Sequence, residues 1–302
     1  MFKNERRGTI YVMISALTYG LIGYFGMNII NSGVSVSDML FWRFFLASII
    51  MSVIMLPKIR SIGKVSDIIK LFVLGGITYC ITAFTYFVAS EYIGTGLAIV
   101  IFFTYPIFVA LINYFFLGIR ITKKYLISIA LILIGMCCLV QLEELQADLI
   151  GILLSVVSAF FYAVHVVSTK QIKMPSTVST FIIVFGSAIV SLFMALSDNT
   201  LSIPSGTEFL INIAGLTILC TVVPVILMLE GLKHISSIKA SILTVFEPIV
   251  VFVLGVILLG EQVSLLQTCG AIIILFGCII TMVDSEFLKR VIVRSRPKPP
   301  IF

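Results

Sequence analysis

Charge is scarce in this chain. Asp, Glu, Lys and Arg make up 11% of its 302 residues, against about 25% in soluble globular proteins, so most of the chain cannot face water. Histidine is scarcer still. Two residues leave no room for an H-E-x-x-H zinc motif. A G-x-x-x-x-G-K-[ST] phosphate loop and a G-x-S-x-G nucleophile elbow are missing too. Nothing in the sequence supports an enzyme, and without a nucleotide site any energy must come from gradients. The six cysteines (Cys80, Cys137, Cys138, Cys220, Cys269 and Cys278) form no C-x-x-C pair and fall inside apolar runs. They read as small core residues, not as a disulfide framework or a zinc site. No metal and no cofactor is implied.

What the chain has is apolar length: 60% of it is hydrophobic. Runs long enough to span a membrane occur at about 8–30, 39–57, 69–90, 94–118, 125–141, 149–168, 177–196, 209–229, 237–259 and 265–283. Membrane barrel strands would be about 10 residues long with alternating polarity, so these runs predict helices. The first follows Lys3, Arg6 and Arg7 as a signal peptide might. It is too long for that role and lacks a clear cleavage site, so it counts as helix 1.

Of the 20 Lys and Arg residues, 18 fall in the N-terminus, the even-numbered loops and the C-terminal tail. The odd-numbered loops carry Asp38, Glu91, Glu143, Glu144, Asp148, Asp198, Glu208 and Glu261 instead. By the positive-inside rule both termini are cytoplasmic. The net charge of +6 then reflects membrane orientation, and no nucleic-acid partner is implied. A bacterial cytoplasmic (inner) membrane is the expected location.

Shifting the chain by 142 or 143 residues reveals a duplication. Ser15–Gly20 lies over Ser158–Ala163, Pro106 over Pro248, Gly118 over Gly260 and Gly135 over Gly277. Helices 1–5 thus repeat as helices 6–10. Because five is odd, the second half must enter the membrane from the opposite side, as in many secondary transporters with a midplane site. The predicted fold is an all-α membrane protein of ten transmembrane helices in two inverted five-helix repeats. The repeats span 8–141 and 149–283, followed by a basic tail at 284–302.

These residues resemble paired EamA domains of the drug/metabolite transporter superfamily. The features that carry the likeness are Ser-Ala-x-x-Tyr at the start of helices 1 and 6, FWRFFLA in helix 2, and two longer stretches. These are FVASEYIGTGLAIVIFFTYPIFVALINYFFLG and SSIKASILTVFEPIVVFVLGVILLGE. One departure is visible, since Gly260–Glu261 is matched by Gly118–Ile119. The resemblance implies a carrier with a central cavity lined by helices 1, 3, 4, 6, 8 and 9, and a substrate such as an amino acid, S-adenosylmethionine, a drug or another small metabolite.

Polar groups at membrane depth line cavities or pair with neighbours. Helix 6 carries Ser155, Ser158, Tyr162, His165 and Thr169 on one face, and helix 3 carries Tyr79, Thr82 and Tyr86. The small residues fit helix packing, whereas Tyr162 and His165 fit a cavity wall. Glu247 lies about 15 Å into helix 9, half-way through the core, where a lone carboxylate needs a proton or a cationic partner. It either carries function or fixes helix 9 through a buried hydrogen bond. Its repeat mate is Tyr105, and each is followed by proline, so helices 4 and 9 are expected to bend at Pro106 and Pro248. Gly94 and Gly96 offer a hinge at the start of helix 4, and Gly20, Gly23 and Gly26 suggest close approach to helix 1. Arg43 lies only about 6 Å deep, free to snorkel outward and too near the outer face to neutralise Glu247. A structural pairing is its simplest role, and a carboxylate site in the outer vestibule is the alternative. Lys239 reads as an interfacial anchor.

The function expected is secondary transport of a small organic solute by alternating access, coupled to protons or to a counter-substrate. Glu247 with Tyr19, Tyr79, Tyr86, Tyr105, Tyr162 and His165 fits a cationic or zwitterionic substrate through charge pairing and cation–π contact. The alternatives are a channel or a membrane sensor or scaffold, though the loops are too short for an output domain. A homodimer in the lipid bilayer is compatible with this reading.

Overall fold

The computed structural model describes residues 2–139, 148–203, 205–250, 253 and 264–282, and every regular element among them is helical. In chain order these are α1 (Phe2–Tyr19), α2 (Ile22–Asn31), α3 (Val36–Met55), α4 (Val65–Leu71), α5 (Thr78–Phe102), α6 (Tyr105–Leu117) and α7 (Lys123–Leu139). The series continues with α8 (Leu149–Gln171), α9 (Ser176–Ser197), α10 (Thr207–Thr217), α11 (Val223–Leu232), α12 (Ser237–Leu243) and α13 (Leu265–Met282). Local chemistry sets several starts. Ser35 accepts from Asp38 N at 3.2 Å, Asp148 from Ile150 N at 2.7 Å, and Ser236 from Lys239 N at 3.1 Å, each satisfying a helix N–H that has no partner within its helix.

Seven continuous helical runs among the described residues are long and apolar enough to cross a membrane. Hydropathy predicts ten spans, and the difference has local causes. Expected helices 3 and 4 join in one run, Val65–Phe102, that reverses at Gly94. Gly94 has φ of 74°, a conformation that L side chains rarely adopt. Gly96 stays helical, so of the two candidate hinge glycines only Gly94 departs from the helix. The rest of expected helix 4 is the short α6. The end of expected helix 5, much of helix 9 with Gly260 and Glu261, loop residues 142–147 and the tail 284–302 lie outside the described residues.

Five of the expected helices change pitch or break along their length. The first expected helix breaks at Gly20–Leu21, between α1 and α2. A Cβ on Gly20 would lie 2.8 Å from Val250 Cβ and 3.2 Å from the Glu247 carbonyl oxygen. Gly26 is equally crowded, by Phe87, whereas Gly23 has nothing within 4 Å and needs no glycine for contact. Two π-turns interrupt the ladder, Phe72–Ile77 between α4 and α5 and Ile218–Val222 between α10 and α11. Helix α5 ends at Phe102 and α6 begins at Tyr105–Pro106. Likewise α12 ends at Leu243, and helix resumes at 246–250 around Pro248. Both breaks fall where the missing proline N–H predicts them.

The helices pack α1 on α11, α3 on α9, α5 and α6 on α8, α7 on α13, and α12 on α1 and α6. Lipid supplies no hydrophobic drive between apolar helices, so small residues and hydrogen bonds set the contacts. At the α7–α13 crossing, a Cβ on Gly135 would lie 2.7 Å from the Gly270 carbonyl oxygen, and one on Gly270 would lie 2.7 Å from that of Gly135. Ser15 donates to the Pro224 carbonyl at 2.8 Å, tying α1 to α11. Ser158 donates to the Thr82 carbonyl at 2.8 Å, tying α8 to α5.

Candidate functional site

The breaks and π-turns face one another at mid-molecule, and their polar side chains form a continuous buried cluster. Tyr105, at the head of α6, crosses to the break after α12, where its hydroxyl donates to the Ser241 carbonyl at 3.0 Å and contacts the Thr244 hydroxyl. That carbonyl has lost its helical backbone donor, because Val245 N turns to Ile242 instead. The Tyr105 and Tyr162 rings meet edge to face, with centroids 4.8 Å apart. Phe102 joins Tyr86, Tyr105 and Tyr162 at 5.3–5.7 Å. His165 lies between Tyr162 and Tyr79, stacked at 5.9 and 5.1 Å.

Each π-turn presents backbone carbonyls to a side chain from elsewhere, as wide helical turns can. His165 Nδ1 donates to the Gly75 carbonyl at 3.0 Å, which fixes its tautomer. Ser187 donates to the Gly76 carbonyl at 2.9 Å. On the other π-turn, Arg43 Nη2 donates to the Cys220 carbonyl at 3.0 Å and Nε to Thr221 Oγ1 at 2.7 Å. Arg43 Nη2 also lies 3.4 Å from the Tyr79 hydroxyl, which meets that of Tyr19 at 3.1 Å. A guanidinium only donates, so Tyr79 accepts from Arg43 and its proton is free for Tyr19.

All seven candidate binding residues lie in or beside this cluster. Tyr19, Tyr79, Tyr86, Tyr105, Tyr162 and His165 are linked by the contacts above, and Glu247 is close enough to interact electrostatically with Tyr79, Tyr86, Tyr105 and Tyr162. All seven are buried among protein groups. Pro106 and Pro248 flank the two breaks. Gly94 and Gly96 lie near the far end of α5 and do not join the cluster.

Arg43 is paired as its simplest reading expects, but not where that reading puts it. Its side chain does not snorkel but is fully buried and turned inward, and its charge acts on Glu247. Two features deepen it. Helix α3 starts at Val36 instead of 39, and the π-turn supplies acceptors for the guanidinium. Hydropathy gives no sign of a π-turn, so only the rarity of an arginine in an apolar run hinted at this role. Lys239 does not project freely either. It is buried and paired with Glu5 at 2.7 Å.

Apart from this packed cluster, a cavity of about 590 Å³ lies at the end of the molecule that the Lys/Arg pattern assigns to the outside. Asn28, Asp38, Ser202, Glu208 and Asn212 are among its walls. Here Asp38 Oδ2 accepts from Ser202 N and Oγ at 3.2 and 2.6 Å, and Trp42 Nε1 donates to the Ser202 carbonyl at 2.9 Å, stapling the loop before α10 onto α3.

This helical frame has known counterparts. The EamA-like transporter family matches residues 6–141 and again 149–283. The chain belongs to that family. It is therefore an integral, multi-pass membrane protein and a member of a transporter family. An uncharacterized transporter of Archaeoglobus fulgidus is 27% identical over 92% of this chain and 97% of its own length. One from Clostridium kluyveri is 24% identical over 93% and 94%. A solved crystal structure, 16% identical, superposes on this EamA-like transporter with a TM-score of 0.76, covering 94% of this chain and 98% of the other.

Proposed function

We propose that the protein is a secondary transporter that moves a small cationic or zwitterionic metabolite, of amino-acid or S-adenosylmethionine type, by alternating access. The observation that carries this is the buried meeting of Glu247 with five tyrosines, His165 and Arg43 among three helix breaks and two π-turns. A carboxylate among aromatic faces attracts an ammonium or sulfonium group by charge and by cation–π contact. Backbone breaks at the same level let helix halves move about a fixed site.

The frame is read as ten spans in two inverted repeats. Supporting this, Ser15 reaches Pro224 while Ser158 reaches Thr82, and both ends of the second bond are the repeat mates of the first. Similarly, Gly135 abuts Gly270 and Ile274, while its mate Gly277 abuts Ser128 and Ile132, their mates in turn. Such reciprocal exchange is the signature of a two-fold relation, and an odd helix number per half puts its axis in the membrane plane. Both termini are then cytoplasmic, in a bacterial inner membrane.

Uptake and efflux in proteoliposomes against a metabolite panel test the transport reading. Glu247→Gln should abolish transport of the active solute and its pH response while the protein still folds. Transport unchanged by that variant sinks the role of Glu247, and a panel with no transported solute sinks the carrier reading. Cysteines placed at 31–38 should label from outside intact cells with an impermeant reagent, and one near residue 62 should not. The opposite pattern reverses the orientation.

A further inference from the structure

We propose that Arg43 is a specificity-determining residue that recognises a carboxylate, so that the site selects a zwitterion with its anionic end on Arg43 and its ammonium toward Glu247. This rests on the reading of the central cluster as the substrate site.

The guanidinium stays charged at any physiological pH, and a buried charge is normally paired with an opposite one. Arg43 is fully buried, yet its contacts are neutral: the Thr221 hydroxyl, the Cys220 carbonyl, the Tyr79 hydroxyl and the Phe44 ring, whose centroid lies 5.1 Å from Cζ. Nη1 has no partner among the described residues, and none of the ion pairs found there includes Arg43. The anchored groups hold the guanidinium by Nε and one edge of Nη2. The contact to Tyr79, at 3.4 Å, exceeds the usual range for such bonds and is the easiest to replace. The free edge is therefore the fork of Nη1 and Nη2, which matches the two oxygens of a carboxylate.

Glu247 argues for the second half of the ligand. It interacts with Arg43 electrostatically, yet the two do not form one of the ion pairs seen among the described residues. A simple cation drawn to Glu247 would be repelled by Arg43, and a simple anion drawn to Arg43 would be repelled by Glu247. A solute with both charges satisfies both residues. The competing account makes Arg43 only a counter-charge that keeps Glu247 in place.

Heat unfolding of the purified full-length protein in detergent separates the two accounts. Three ligand pools of equal concentration serve as probes: the common L-amino acids, the amines their decarboxylation would give, and the carboxylic acids their deamination would give. Only a ligand bound by the native state raises the midpoint. The amino-acid pool should raise it clearly more than either of the others. Arg43→Gln should weaken amino-acid binding about thirtyfold or more, as loss of one partner from a buried charge pair does. Should that variant not fold, Arg43→Lys keeps the charge but loses the fork. It should weaken the same binding while leaving the ligand-free midpoint near the wild-type value. Equal stabilisation by the amines, no stabilisation by the amino acids, or undiminished affinity in Arg43→Lys overturns the proposal. In the first case Glu247-dependent uptake would persist, so the transport reading would stand without it.

Discussion

The two proline breaks at the centre share a backbone device and differ in what they carry. Tyr105–Pro106 and Glu247–Pro248 occupy matching places in the duplicated sequence, and Tyr105 and Glu247 follow a helix end by three and four residues. At the first, the side chain is committed to structure, since the Tyr105 hydroxyl stitches the Ser241 carbonyl across the other break. At the second, the side chain carries charge into the aromatic cluster, in reach of Arg43. A duplicated scaffold can thus keep its bends in both copies while giving the charge to one. The two halves need identical backbone mechanics but not identical chemistry.

That asymmetry makes the largest prediction. Glu247→Gln should lower proteoliposome uptake about a hundredfold or more, because the lost interaction is with a desolvated charge. Tyr105→Phe should leave uptake within about tenfold, because it removes a hydroxyl that serves the frame. The reverse ranking would break the comparison and make Tyr105 the binding group.

Next in size is the helix crossing where the two halves meet through glycine. At Gly135 and Gly270, an added Cβ meets a backbone carbonyl at 2.7 Å, which no rotamer change can relieve. Gly135→Leu and Gly270→Leu should each destabilise the protein by about 1–3 kcal/mol, the usual range for overpacking. The check is the unfolding midpoint in detergent. Gly23→Leu should be nearly neutral by the same measurement, since nothing lies within 4 Å of it. A Gly23 effect as large as that of Gly135 would show that the crowding here does not set stability.

Which of these features can be read from sequence follows from what sequence displays. A tyrosine, histidine or glutamate inside an apolar run is conspicuous because lipid offers it no partner. Tyr79, Tyr105, Tyr162, His165 and Glu247 stand out for that reason, and the structure gathers them. Depth is harder. A start at Val36 in place of 39 carries Arg43 about 4–5 Å further in, enough to turn a snorkelling residue into a central one. The π-turns at Phe72–Ile77 and Ile218–Val222 are made of ordinary apolar residues, so hydropathy is blind to the carbonyls they present. Gly94 and Gly96 look alike as letters. Only the chain reversal, which depends on how α5 returns against α8, shows which of them needs a positive φ.

A smaller effect is expected at Tyr105 itself. Removing its hydroxyl deprives the Ser241 carbonyl of a donor, but Thr244 Oγ1 still donates to that carbonyl at 2.9 Å. Tyr105→Phe should therefore cost about 1 kcal/mol at most by thermal unfolding, near the upper half of interhelical hydrogen bonds measured in membranes. A loss several times larger would mean that the hydroxyl organises the whole break and not one bond of it.

The smallest effect tests the scaffold most directly. Ser15 and Ser158 are both fully buried, both donate at 2.8 Å, and their acceptors are the carbonyls of Pro224 and Thr82. Each hydroxyl ties the helix that opens one half to a helix of the other half. If the halves are related by a two-fold axis, the two bonds lie in equivalent surroundings and should contribute equally. An interhelical hydrogen bond of this type contributes about 0.6 kcal/mol on average in membrane proteins. Ser15→Ala and Ser158→Ala should therefore each lower stability by about that amount, with alanine filling the same space. The two sites lie on different helix pairs and share no partner, so the double variant should equal the sum of the singles within about 0.3–0.5 kcal/mol. Equality of the singles is the sharper criterion. A cost confined to Ser158 would mean that the likeness of the two bonds is geometric only, and that the second half bears the load at the centre just as it bears the carboxylate.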